Sequence, residues 1–215
     1  MKAFVFTGGN IIPENITEKK ESEDIVIAAD SGYLNAKKMG FVPDLLVGDF
    51  DSLGKENVPE GIKTVELPAE KDLTDTQVAV DIAVDEGARQ IIIIGGLDGR
   101  LDHTLSNIAI LRMLDAKRIY SYITDGHNRV RYINGTNTII VRSKFKYLSV
   151  ISDDEVAKGV DIEGCKYPLK NAKLYRGHQF AVSNEIVGNC ALVSVRKGGL
   201  FIVESGFGEG ELPPN

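Results

Sequence analysis

The chain has 215 residues, 43% of them hydrophobic and 26% charged, an ordinary globular composition with room for one large domain or two small ones. Its formal net charge of −6 argues against a sequence-independent nucleic-acid binder, which needs a basic face. No window approaches the roughly 18 apolar residues of a membrane span, and the opening Met1–Gly9 stretch reaches glycine too early for a signal-peptide core, so neither a membrane nor a nucleic-acid partner is expected and a cytoplasmic setting is. Cys165 and Cys190 match no metal knuckle or disulfide scaffold and read as buried apolar residues.

In chain order, residues 3–6 are short, apolar and stopped by Gly8-Gly9, as a first buried strand would be. Residues 24–29 form a second, ending at Asp30-Ser31-Gly32, and a helix over 33–39 closes on Gly40. Strands follow at 45–47 and 63–67, ended by Gly48 and Pro68. Asp72 or Thr74 then caps a helix with Val78 and Ile82 in its apolar stripe and Gly87 at its end. Residues 90–94 carry four consecutive isoleucines, as a strand buried on both faces does. Asp102 or Thr104 opens another helix, with Leu105, Ile108 and Leu111 expected inward, and 118–124 is a further strand. Such alternation predicts an α/β domain with a mostly parallel sheet covered on both sides.

The helical period disappears near residues 125–132. Short β-branched stretches follow at 138–141, 146–151, 160–162, 172–175, 191–195 and 200–203, and Lys197-Gly198-Gly199 reads as a hairpin turn. This half is expected to be an antiparallel sandwich or barrel, which places the domains at 1–128 and 129–215.

Three acidic clusters begin where apolar runs stop: Gly48-Asp49-Phe50-Asp51-Ser52, Lys71-Asp72-Leu73-Thr74-Asp75, and Asp98-Gly99-Arg100-Leu101-Asp102-His103. In an extended segment Asp49 and Asp51 project to one side, and Mg²⁺ is commonly held by one or two carboxylates plus substrate phosphate. Turn chemistry is the competing reading. The position after a buried strand favours function, because ligands in open α/β sheets bind beyond the carboxyl ends of strands. Asp72 and Asp75 share one face of a helix start, where simple dipole compensation competes. Lys71 beside them neutralises a phosphate or pairs with the acids. The Gly95-Gly96 loop allows close backbone approach, Arg100 can fork onto phosphate oxygens, and Asp102 can take a ribose, a metal or the helix cap. His103 is a proton-transfer candidate set against a structural role. Gly-x-x-x-x-Gly-Lys-Ser/Thr and Gly-x-Gly-x-x-Gly are both missing, which disfavours a P-loop kinase or a standard dinucleotide dehydrogenase.

Taken in order, Ala29-Asp30-Ser31-Gly32, Pro43-Asp44, the three acidic clusters, Gly164-Cys165-Lys166-Tyr167-Pro168-Leu169 and Ser183-Asn184-Glu185 resemble the thiamine pyrophosphokinase (thiamine diphosphokinase) family over nearly the whole chain. The resemblance implies a Rossmann-like three-layer α/β nucleotide-binding catalytic domain and a C-terminal β-sandwich for thiamine binding and dimerisation. It also implies a homodimer, and Mg²⁺-dependent transfer of the ATP diphosphate to thiamine with release of AMP. Asp49, Asp51, Asp72 and Asp75 would then surround metal and phosphates, with Asp51, Asp72 and Asp75 carrying catalysis. Asp30, Ser52, Lys71, Thr74, Arg100, Asp102 and His103 would line ATP. Ser183 and Asn184 would hold thiamine opposite the partner's α/β domain. Some family members set a tryptophan against the thiamine rings; this chain has none, which leaves that place to a tyrosine or phenylalanine.

Phosphoryl-type transfer needs positioning and charge stabilisation more than an elaborate nucleophile, and the substrate alcohol supplies the nucleophile here. A metal-dependent phosphohydrolase and a non-catalytic nucleotide-binding regulatory module are the alternatives.

Overall fold

The computed structural model describes residues 1–51, 53–54, 57–68 and 72–206. They divide into two compact units, Met1–Gly126 and a second beginning at His127. The first contains β1 (Lys2–Phe6), β2 (Ile25–Ala29), α1 (Gly32–Lys38), β3 (Leu45–Gly48), β4 (Lys63–Glu66), α2 (Asp75–Asp85), β5 (Gln90–Ile94), α3 (Leu101–Ala116) and β6 (Tyr120–Thr124). Its strands lie in the order β4-β3-β2-β1-β5-β6, and every pairing among them is parallel.

Parallel strands covered on both sides need side chains that tolerate burial at every position. β5 meets this with Ile91, Ile92, Ile93 and Ile94, all at or near zero exposure. One face, with Phe4, Phe6, Val26, Ala28, Leu46, Ile92 and Ile94, forms a core with Ala36 of α1. The alternate residues Val5, Ile27, Val47 and Ile93 are equally buried and by the two-residue period face the other way; α2 packs on β1, β2 and β3. Helix α3 buries Asn107, Ile110, Leu111 and Leu114. Of the three residues expected inward, Leu111 is fully buried, Ile108 half-buried and Leu105 59% exposed, because the buried stripe runs through Asn107, Leu111 and Leu114.

The second unit contains β7 (Asn128–Asn134), β8 (Asn137–Val141), β9 (Tyr147–Ser152), β10 (Val156–Glu163), β11 (Leu169–Tyr175), β12 (Cys190–Lys197) and β13 (Gly199–Ser205). β13 pairs antiparallel with β7 and β9, while β8, β12, β10 and β11 form a separate antiparallel sheet. Residues of both sets, among them Ile133, Val150 and Ile202 from the first and Ile140, Val160 and Val193 from the second, share one core. The arrangement is therefore two facing sheets.

The hairpin expected at Lys197-Gly198-Gly199 does not form. β12 pairs with β8 and β10, β13 with β7 and β9, so the glycine turn carries the chain from one sheet to the other. β7 had no clear sequence signal: it mixes apolar residues with Arg129 and Arg131, and Arg131 is buried, its Nη2 3.0 Å from Glu204 Oε2 of β13. The two cysteines are free, Cys165 buried as expected and Cys190 exposed at the start of β12; burial pushes the Cys165 thiol above its ordinary range.

Candidate active site

Because its strands are parallel, the first unit gathers all their carboxyl ends on one edge. In the register Phe6 lies beside Ala28 and Ile94, Ala29 beside Val47, and Ile94 beside Thr124. The residues just beyond (Thr7, Asp30, Asp49, Gly95 and Asp125) therefore share that edge. Successive strands run outward from β1 to β4 on one side and from β5 to β6 on the other. Between β1 and β5 the chain direction of travel reverses, which opens a crevice where α/β sheets take ligands.

Polar side chains knit this edge together. Asn35 of α1 is buried and its Nδ2 donates to the carbonyls of Thr7, at 2.8 Å, and Gly9, at 2.9 Å. The Thr7 and Thr76 hydroxyls are hydrogen-bonded at 2.9 Å, which pins the first turn of α2 to the end of β1. Asn107 of α3 donates to the Gly96 carbonyl at 3.1 Å, and the Gly96 amide donates to the Gly8 carbonyl at 2.9 Å. Gly32 opens α1 so close to β1 that a Cβ there would sit 2.2 Å from the Phe6 oxygen. Sequence reading passed over Thr7, Asn35 and Asn107. Each is a polar residue that the fold buries, and nothing in its local sequence sets it apart from the exposed polar residues nearby.

The first acidic cluster is a turn. Phe50 has φ 61°, and the Asp51 amide donates to Asp49 Oδ1 at 3.2 Å, the side-chain-to-backbone closure of an Asx turn. The extended conformation expected for Asp49–Asp51 is thus replaced, and the competing turn chemistry is what forms. Asp51 is exposed and Asp49 half-buried. Asp30, with φ 47°, holds this segment: its amide donates to the Val47 carbonyl at 2.8 Å and its Oδ1 accepts from the Leu53 amide at 3.2 Å.

At α2, Thr74 is the cap, its hydroxyl accepting from the Gln77 amide at 3.2 Å. Asp75 is the first helical residue, with Oδ1 withdrawn from solvent, and Asp72 is exposed just before it. At α3 neither Asp102 nor Thr104 caps; the cap position is Arg100, with no side-chain bond to the helix. Arg100 and Asp102 form a forked pair instead, at 3.2 Å and 2.6 Å. The Arg100 hydrogen bond holds the Asp102 carboxyl below the usual carboxylate range. Both side chains are largely exposed, as is His103. Ser52 and Lys71 lie outside the described residues.

Among the described residues no three of His, Cys, Asp and Glu come close enough to hold a metal ion. The donors at the edge are carboxylates, the hard oxygen ligands that Mg²⁺ takes, and Mg²⁺ needs only one or two of them when phosphate oxygens complete its shell. Asp49, Asp51, Asp72 and Asp75 suit it on that basis. A cavity of ≈ 770 Å³ lined by Pro13, Glu14, residues 16–20 and residues 38–42 sits at the other end of α1 and contains none of these residues.

In the second unit Asn184 is buried, with 4% exposure. Its amide oxygen accepts from the Tyr167 amide at 3.0 Å and the Glu185 amide at 2.9 Å, and its Nδ2 donates to the Tyr167 carbonyl at 2.7 Å. Ser183 has φ 58° and an exposed side chain; its amide donates to Ser149 Oγ at 3.0 Å. Asn184 also lines a cavity of ≈ 60 Å³ with Tyr167, Phe180 and Val182, whose side chains are substantially exposed.

The catalytic-domain model of thiamin pyrophosphokinase matches residues 16–123, and the vitamin B1 binding-domain model of the same enzyme matches residues 136–200. The chain belongs to the thiamine pyrophosphokinase family. Among its relatives, the thiamine pyrophosphokinase of Bacillus subtilis is 29% identical over 208 residues, spanning 94% of this chain and 97% of that protein. The crystal structure of a Bacillus subtilis thiamine pyrophosphokinase superposes with a TM-score of 0.86 at 25% identity, over 95% of this chain and 99% of that one. That of Geobacillus thermodenitrificans superposes with a TM-score of 0.84 at 27% identity, over 97% and 99%. The two family models flank the division between the two units, and the full-length match means that both are shared with these thiamine pyrophosphokinases.

Proposed function

We propose that this protein is a thiamine diphosphokinase: it transfers the diphosphate of ATP to the hydroxyethyl oxygen of thiamine, giving thiamine diphosphate and AMP. Family membership over both units carries this reading, and the acidic, glycine-rich edge at the β1–β5 reversal supports it. Residues 1–128 act as a Rossmann-like three-layer nucleotide-binding catalytic domain, and residues 129–215 as a β-sandwich that binds thiamine and dimerises. The setting is cytoplasmic.

Mg²⁺ would be held by one or two carboxylates drawn from Asp49, Asp51, Asp72 and Asp75, with phosphate oxygens completing its shell, and would neutralise charge on the transferring diphosphate. The Asx turn presents Asp49 and Asp51 at the strand end, and buried Asp30 keeps that turn in register. The start of α2, capped by Thr74, offers free amides and a positive dipole end to phosphate oxygens. Ser52 and Lys71 add a donor and a positive charge. Arg100 exchanges its fork from Asp102 to the nucleotide, and Asp102 and His103 complete the ATP contacts. Either Asp72 or Asp75 accepts the proton of the thiamine alcohol. Ser183 bonds thiamine through its exposed hydroxyl. Asn184, committed to Tyr167, acts by fixing that aromatic segment, and Tyr167 and Phe180 supply the ring surface that tryptophan supplies elsewhere.

Incubation with ATP, Mg²⁺ and thiamine, with products resolved by chromatography, tests the reading. AMP and thiamine diphosphate should form together. AMP formed equally well without thiamine would instead indicate a phosphohydrolase, and ATP binding without turnover a regulatory module.

A further inference from the structure

The third acidic cluster contains a carboxylate to which no role has been given. Asp98 stands in the loop between β5 and α3, two residues before Arg100 and four before Asp102. It is half-buried. Its two oxygens accept from the Asn10 amide at 3.0 Å and 3.1 Å, and Oδ2 accepts from Asn10 Nδ2 at 2.7 Å. Asn10 belongs to the loop after β1, 88 residues earlier. The neighbouring backbone is shaped for this contact: a Cβ on Gly9, whose φ is +96°, would lie 2.2 Å from Asp98 Oδ1.

The geometry points to Asp98 as a positioning residue, a staple that ties the β1 loop to the loop carrying Arg100 and Asp102 across the ligand crevice. The inference rests on the diphosphokinase reading for what the crevice binds. The β1 loop is already held from beneath by Asn35 and from the side by the Gly96–Gly8 amide bond. Asp98 adds a charge-assisted contact at the outer rim, where the glycines alone leave the backbone free to move. With its oxygens spent on Asn10, Asp98 is set apart from the acids assigned to Mg²⁺. Its substrate-side effect is therefore on ATP, through the orientation of Arg100 and Asp102.

The test is steady-state kinetics of wild type, Asp98→Ala, Asn10→Ala and the double variant, with Mg²⁺ titrated and thermal unfolding followed alongside. Thiamine-dependent turnover by the wild type checks the underlying reading separately. A staple predicts that Asp98→Ala raises KM for ATP about tenfold, the size of losing hydrogen bonds to a charged acceptor, with kcat and the Mg²⁺ optimum little changed. Asn10→Ala should give a smaller rise in the same constant, since its backbone amide still reaches Asp98, and the double variant should be no worse than Asp98→Ala. A collapse of kcat or a shifted Mg²⁺ requirement in Asp98→Ala, with Asn10→Ala behaving as wild type, would mark Asp98 as a metal ligand and overturn the proposal. So would unchanged KM in both single variants, or fully additive losses. Should Asp98→Ala fail to fold, Asn10→Ala still decides: an unaltered KM for ATP there is incompatible with the staple.

Discussion

Carboxylates that look alike in the chain are divided by their partners. Asp30 and Asp98 are taken up by backbone amides of distant loops, at Leu53 and at Asn10, and build the crevice. Asp51 is exposed at the end of a turn; replacing it leaves no buried group unsatisfied. Asp51→Asn is therefore expected to unfold at the wild-type temperature yet lose AMP formation by a hundredfold or more, since each ~1.4 kcal/mol of barrier is tenfold. Circular dichroism and the coupled product assay check the two halves, and near-normal turnover would remove Asp51 from the metal set. Asn184 has the opposite profile. Its amide makes three internal hydrogen bonds, so Asn184→Ala strands part-buried Tyr167 and Glu185 backbone groups and should cost about 1 kcal/mol, read as a lower denaturant midpoint with unchanged slope. The Arg100–Asp102 pair is surface chemistry. The depressed Asp102 carboxyl keeps it intact at neutral pH, and its contribution is lost as pH falls through that lowered value.

Helix ends and strand ends do the positioning. The start of α2 is set twice, by the Thr74 cap and by the buried Thr7–Thr76 hydroxyl pair. Thr74→Ala removes only the first and should cost about 1 kcal/mol in thermal unfolding, while raising KM for ATP because the amides at the helix start are less ordered. A variant with lowered stability but wild-type KM would show that α2 does not face the nucleotide. At α3 the expected cap did not appear, since Arg100 takes the cap position and Asp102 turns back to it. The glycine turn at 198 illustrates the limit of local reading. Lys197-Gly198-Gly199 has the composition of a hairpin, but whether its flanking strands pair depends on which sheets are free to receive them, and β8 and β10 take one while β7 and β9 take the other.

For the molecule as a whole, the proposed homodimer predicts a sedimentation mass near twice the 23.4 kDa of the chain; a monomer at assay concentrations would confine the complete reaction to a single chain. Much of this was legible from the residues alone. The parallel α/β half, its buried isoleucine strand, the β-rich second half and the family follow from apolar period and from ordered short motifs, because both are local properties of the chain. No helix of the described residues is long and apolar enough to cross a membrane, in line with the same periodicities. What only the tertiary structure decided is which polar residues build and which serve. Asn35 beneath the β1 loop, Asn10 on Asp98 and Asn184 on Tyr167 are assigned by partners 26, 88 and 17 positions away. A hydrogen bond has no sequence period: the choice between a structural and a reactive carboxylate is made by whatever donor the fold delivers to it, and that delivery depends on the order of the strands.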